Sequence, residues 1–158
     1  MRKTRIPLAV LALLALLAPG ARAASDSATL AVTASVAAKC KLSLSGPMAF
    51  GALDTTSTSD ATKTVTVTYQ CTKGTVVTSF TVATLTSGSY TGAMTSGTSP
   101  DSIAYTIAWT DPPAFTGAGM GSTAAAQTVD LNGTILNADY LNVTPASYNQ
   151  NVSIAVNY

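Results

Sequence analysis

The sequence contains no histidine and no glutamate, and its seven acidic residues are all aspartate. Beyond Arg22 there is no arginine, so the only later cations are Lys39, Lys41, Lys63 and Lys73. Each absence removes a class of function. General acid–base catalysis draws on histidine or a paired carboxylate, and the six aspartates from Asp54 onward stand singly. Metal centres need clustered His, Cys, Asp or Glu, and no such cluster or calcium-loop spacing is present. The scattered aspartates read as solvated turn residues. A nucleic-acid surface needs a basic patch to hold phosphates, which four lysines without arginine do not make. The expectation is a non-enzyme with no catalytic residue, no metal, no cofactor and no nucleic-acid partner.

The N-terminus indicates the compartment. MRKTR is basic, IPLAVLALLALLA is apolar, and Ala21-Arg22-Ala23 has the small-x-small form of a cleavage site. An apolar run of about 13 residues is too short to span a bilayer and suits a secretory signal. Residues 1–23 are therefore expected to be a signal peptide removed after Ala23, a retained anchor being the alternative. Removing 23 of 158 residues leaves one domain's worth of chain, in which four lysines face seven aspartates for a net charge of −3. In an oxidising compartment the only two cysteines, Cys40 and Cys71, most simply form one structural disulfide. Closing a loop of about 30 residues contributes roughly 3–4 kcal/mol in the chain-entropy model. A catalytic thiol is the alternative, but no histidine exists to activate it.

Helical periodicity is missing as well, and the residues present favour strands. Val65, Val67, Tyr69 and Cys71 alternate with Thr and Gln in TVTVTYQC. Ile103, Tyr105, Ile107 and Trp109 alternate with small or polar residues, which places Tyr105 and Trp109 in a core rather than on a ligand surface. Period-two segments are expected at 40–44, 64–71, 76–85, 102–109, 127–136 and 150–158. Turn-rich stretches separate them at 55–62, 87–101, 111–122 and 142–150, and the second of these reads as a linking loop. Half-buried strands broken by Gly, Pro, Ser and Asp imply an all-β, antiparallel sandwich. An immunoglobulin-type sandwich of the smaller kind has seven strands, so the expected fold is an incomplete immunoglobulin-like β-sandwich of six.

A surplus precedes Cys40. From Ala28 to Leu44 apolar residues occupy the even positions with no Gly or Pro to break them. A strand of that length would extend roughly 55 Å, longer than the roughly 35–40 Å diameter of its own domain. Three readings compete for 28–38: a strand bent to serve both sheets, a loose tail, or an insertion into another domain. A bent strand usually carries Gly, Pro or a bulge at the corner, and a tail needs no pattern. Insertion accounts for both the surplus in front and the strand missing from the body. An extended segment can supply apolar side chains and backbone partners to an open groove at once. Leu30, Val32 and Val36 would enter such a groove, with Ala34 at a shallower site.

These features together resemble the spore coat protein U domain family, the pilins of archaic chaperone–usher pili. The resemblance rests on the strand-like extension leading into Cys40, Phe50-Gly51 followed by Asp54, and TVTVTYQC ending in Cys71. It continues through Gly92-Ala93-Met94, the alternation of Ile103, Tyr105 and Ile107, and the final Val152, Val156 and Tyr158. It covers nearly all of 28–158; the Ala/Thr/Gly-rich segment 112–126 and the lack of arginine depart from many relatives. The resemblance implies a signal peptide (1–23), a donor-strand extension (24–38) and a pilin domain (39–158). It implies a subunit of a surface pilus, carried through the periplasm by a chaperone, exported by an outer-membrane usher and joined to copies of itself or related subunits, serving adhesion and biofilm formation. By position, Leu30, Val32, Ala34 and Val36 would be donor residues. Val152, Ile154, Val156 and Tyr158 would border the groove and face the chaperone. The alternative is a monomeric secreted β-sandwich binding module for carbohydrate or a surface ligand, its N-terminal strand folded back.

Overall fold

The computed structural model describes residues 24–86, 88–121 and 126–158. The expected signal peptide, 1–23, lies outside the described residues. The chain divides into two units, Met1–Ser35 and Val36–Tyr158. In the first, residues 24–35 are exposed and carry no regular secondary structure.

The second unit is built of antiparallel strands. In chain order they are β1 (Cys40–Leu44), β2 (Ala61–Cys71), β3 (Val76–Val77), β4 (Ser79–Val82) and β5 (Gly88–Thr95). They continue as β6 (Ser102–Trp109), β7 (Phe115–Thr116), β8 (Gln127–Ile135) and β9 (Ile154–Asn157). One sheet has five strands in the order β1-β2-β8-β6-β5; β3 pairs with β7, and β4 with β9. The arrangement is nearly all-β and consistent with an immunoglobulin-like sandwich. No helix among the described residues is long and apolar enough to cross a membrane.

The alternation in sequence explains the core. In β2, Val65, Val67, Tyr69 and Cys71 are buried while Thr62 and Thr64 face solvent. Ile103, Tyr105, Ile107 and Trp109 of β6 meet Val129, Leu131 and Ile135 of β8, and Phe80 and Val82 come from β4. Tyr105 and Trp109 are therefore core residues, as their spacing predicts. Cys40 and Cys71 are joined in a disulfide, and they face each other at the end of the β1–β2 ladder.

Three expected segments need correction. The stretch 76–85 is not one strand but two, because the chain changes partner at Thr78: β3 pairs with β7, and β4 with β9. Ala83, at φ 56°, then turns the chain away in the left-handed region that non-glycine residues seldom occupy. The stretch 87–101, expected to be a linking loop, contains the eight-residue strand β5, paired along its whole length with β6. Its inward face is Tyr90, Gly92 and Met94, and the central glycine breaks the apolar signal. Gly92 is required there: a Cβ would lie 2.7 Å from the Tyr105 hydroxyl and 2.8 Å from Gln150 Oε1. The final strand is also shorter than 150–158, with Asn149 forming only an isolated bridge to Thr95.

Candidate functional site

Leu30, Val32 and Val36 are 85, 85 and 88% exposed. Burying an aliphatic side chain of this size contributes about 1.5–3 kcal/mol, so three of them in alternation form an unused apolar face. Among the described residues, none of 24–39 lies in a strand. The point at which this segment joins the sandwich is fixed. The Lys39 N–H donates to Thr72 Oγ1 at 3.1 Å, the Thr72 N–H donates to the Lys39 carbonyl at 2.9 Å, and the disulfide closes the next pair.

A second incomplete feature is β9. It pairs with β4, in a register that sets Val156 opposite Phe80 and Ile154 opposite Val82. The Ala83 N–H continues that ladder by donating to the Ser153 carbonyl at 2.7 Å. Backbone groups alternate in direction along an antiparallel strand, so Ser153 and Ala155 point toward β4. Ile154 and Val156 then turn their N–H and C=O the other way, where no ladder is formed among the described residues. Their side chains, with that of Val152, pack half-buried against the core.

The third feature is an open cleft of about 700 Å³. Met48, Phe50 and Leu53 form one wall, Val143 and Tyr148 the other, and Ile135 lies among its lining residues. Ile135 pairs with Ala61 at one end of β2, whereas Cys71 and the attachment point of the N-terminal segment lie at the other. Ten residue steps along a strand separate these ends by roughly 30 Å. Gly133 makes the first wall possible, since a Cβ there would come within 2.9 Å of Phe50 Cζ and still closer to Met48 Sδ.

The other wall is fastened by polar groups. The Asp101 carboxylate accepts from the Thr144 N–H at 2.8 Å and from its hydroxyl. These bonds hold its pKa below the ordinary 3.8. Thr95 and Asn149 exchange two backbone hydrogen bonds. The Tyr105 hydroxyl donates to Gln150 Oε1 at 2.8 Å; burial, with Tyr90 beside it, pushes its pKa up to about 12. The Tyr140 hydroxyl donates to the Ser59 carbonyl at 2.9 Å. Among the described residues no three His, Cys, Asp or Glu gather as metal ligands.

An exposed period-two segment, an unfinished sheet edge and an apolar cleft thus occur in one chain. The Spore Coat Protein U domain matches residues 26–155 of it. The chain belongs to this family. Its members are chaperone–usher pilin subunits, structural proteins of surface pili. The match begins at Asp26, so the exposed segment is part of the family unit as much as the sandwich is. No curated protein and no solved structure matches the chain.

In this pilin-family chain the sequence-predicted residues fall into three groups. Cys40 and Cys71 are joined. Leu30, Val32, Ala34 and Val36 lie exposed along the N-terminal segment. Val152, Ile154 and Val156 lie half-buried at or beside β9, whereas Tyr158 is 53% exposed. Sequence reasoning did not single out the cleft walls, Met48, Leu53, Val143 and Tyr148, because irregular backbone carries them and no periodicity marks them. Phe50 entered only as part of a Phe-Gly pair. A signal was available in the apolar residues set at intervals through 48–53, a stretch otherwise rich in Gly and Ala.

Proposed function

We propose that this chain is a structural subunit of a surface pilus, polymerised by donor-strand complementation. Residues 24–38 of one copy would lie along the free edge of β9 in the next. Leu30, Val32 and Val36 would be buried there, with Ala34 at a shallower position. The observation that carries this reading is complementarity within one sequence: an exposed segment with apolar residues at alternate positions at the front, and an unpaired edge flanked by apolar side chains at the back. Donor and acceptor are different surfaces of the same chain, so the contact is head-to-tail and propagates as an open filament.

Folding the segment back into its own domain would require the chain to reverse at Ala37-Ala38-Lys39. That stretch contains none of the residues that usually make a tight turn. Before assembly, a periplasmic chaperone would cover Val152, Ile154, Val156 and Tyr158, and an outer-membrane usher would export the subunit. Copies of this chain or related pilins would be its partners in the filament. Adhesion and biofilm formation are the roles such a filament serves. A signal peptide at 1–23 would direct the chain along this route.

The test is to express residues 39–158 alone and then add a peptide spanning 28–38. A donor-strand acceptor should be unstable or chaperone-dependent alone and gain marked stability with the peptide. If 39–158 is fully stable alone and indifferent to the peptide, the reading fails and a self-contained binding module replaces it.

A further inference from the structure

The five-stranded sheet ends on β5, whose outer edge has its own chemistry. Thr95 exchanges backbone hydrogen bonds with Asn149 on the side away from β6, at 3.2 and 3.0 Å. The β5–β6 register runs from Gly88 to Thr95 without a bulge, so backbone direction alternates strictly from that point. Ser89, Thr91 and Ala93 therefore also turn their N–H and C=O outward. Among the described residues these groups form no backbone ladder. A free edge of this kind is normally blunted by lysine, proline or a bulge. β5 has none of these, and no charged residue occurs from Gly88 to Ser99. The opposite edge, β1, carries Lys41 and follows directly on Lys39.

We infer that β5 pairs antiparallel with β5 of a second copy, joining two subunits side by side across a twofold axis at Thr91. A second copy fits because self-pairing here sets no like charges together, whereas at β1 it would oppose lysines. Register follows from which groups are free. Centring on Thr91 sets Thr91 opposite its own equivalent and Ser89 opposite Ala93 of the second copy, so all three outward residues on each strand are used. Centring on Gly92 would set Ser89 against Thr95, whose outward groups Asn149 already holds. Centring on Tyr90 would leave Ala93 without a partner in β5. With Thr91 at the axis, Gly88, the first residue of β5, lies opposite Met94, so the paired strands end one position short of Thr95 and its Asn149 bridge. Tyr90, Gly92 and Met94 remain directed inward, so the pairing needs no repacking. This contact is separate from β9 and from residues 24–38, and it would bind filaments laterally rather than extend them.

The experiment places single cysteines in the full chain, whose described cysteines are both committed to the disulfide. Under mild oxidation Thr91→Cys should form a disulfide-linked dimer at least tenfold faster than Thr62→Cys, an exposed control on β2. Thr91→Pro removes an outward N–H and leaves the β5–β6 ladder intact, so it should abolish lateral association seen by light scattering without altering circular dichroism. Thr91→Lys opposes two charges at the axis and should do the same. Equal cross-linking at 91 and 62, or undiminished association in a folded Thr91→Lys chain, overturns the inference. Loss of end-to-end growth in the Val32→Asp chain, with cross-linking at 91 retained, would separate this contact from donor-strand assembly.

Discussion

Truncating Val32 to alanine tests donor parity at a single side chain. Val32 is 85% exposed before assembly, so its truncation should leave the lone subunit's stability almost unchanged. Once buried in a neighbour, the same change removes two carbons from an apolar site, about 1.6 kcal/mol at about 0.8 kcal/mol per CH₂. That is roughly a 15-fold loss of affinity, and any cavity left unfilled makes the loss larger. Leu30→Ala removes three carbons, hence about 2.4 kcal/mol and roughly 50-fold. Thr33→Ala, on the opposite face, should stay within about 0.5 kcal/mol, or about twofold. Titration calorimetry of residues 39–158 with peptides 28–38 carrying each change reads these ratios directly. Parity is what is at stake, because a one-residue slip exchanges the two faces. A Thr33→Ala effect equal to or larger than that of Val32→Ala would refute the assignment of the even positions.

Gly133→Ala should lower stability by about 1–3 kcal/mol, the usual cost of overpacking, because the added methyl meets Met48 and Phe50; denaturant unfolding measures it. Cys71→Ser should cost roughly 3–4 kcal/mol in the same assay if loop closure accounts for the disulfide's contribution. Asp101 gives a pH signature. Its pKa is lowered in the fold by Thr144, so its contribution is complete above the unfolded value near 3.8 and is lost as pH falls through the folded value. Hydrogen exchange in 143–149 should rise below about pH 4, and Asp101→Asn should remove that acid dependence. An unchanged acid response in the Asn variant would count against this role for Asp101.

What could be read from the sequence depended on how continuous each pattern was. β1 and β6 match the expected 40–44 and 102–109, because every inward position holds Cys, Leu, Ile, Tyr or Trp. β5 escaped because Gly92 occupies its central inward position, the space being filled by the Tyr105 ring and Gln150 instead. The break at Thr78 was equally hidden: both halves of 76–85 are strand, and only tertiary pairing decides that they join different partners. The cleft was the least legible feature. Its walls come from irregular segments held by long-range bonds such as Asp101 to Thr144 and Tyr140 to Ser59, and no local pattern encodes contacts across 43 or 81 positions. The alternation in 28–38, by contrast, was plain, because its apolar residues recur at every second position without a Gly or Pro to interrupt them.

A protein that assembles through strand edges cannot follow the general rule of blunting every edge, so flanking side chains must direct each edge to its own partner. Three of the open edges among the described residues, those of β1, β9 and β5, differ in that respect. β1 is bordered by Lys39 and Lys41, which oppose its pairing with a second copy of itself. β9 presents outward backbone at Ile154 and Val156, whose side chains sit beside an apolar core, and so favours a strand that brings apolar residues at every second position. A polar strand offered there would satisfy the hydrogen bonds but leave the core uncovered. β5 presents Ser89, Thr91 and Ala93 with no charge among them, and Tyr90 and Met94 on its other face already pack against the strand's own core. It therefore gains nothing from an apolar donor and accepts a small, neutral strand like its own. Exchanging these chemistries should exchange the partners. Lysine at Thr91 would make β5 resemble β1 and abolish lateral pairing, while aspartate at Val32 should stop growth at β9 and leave β5 untouched.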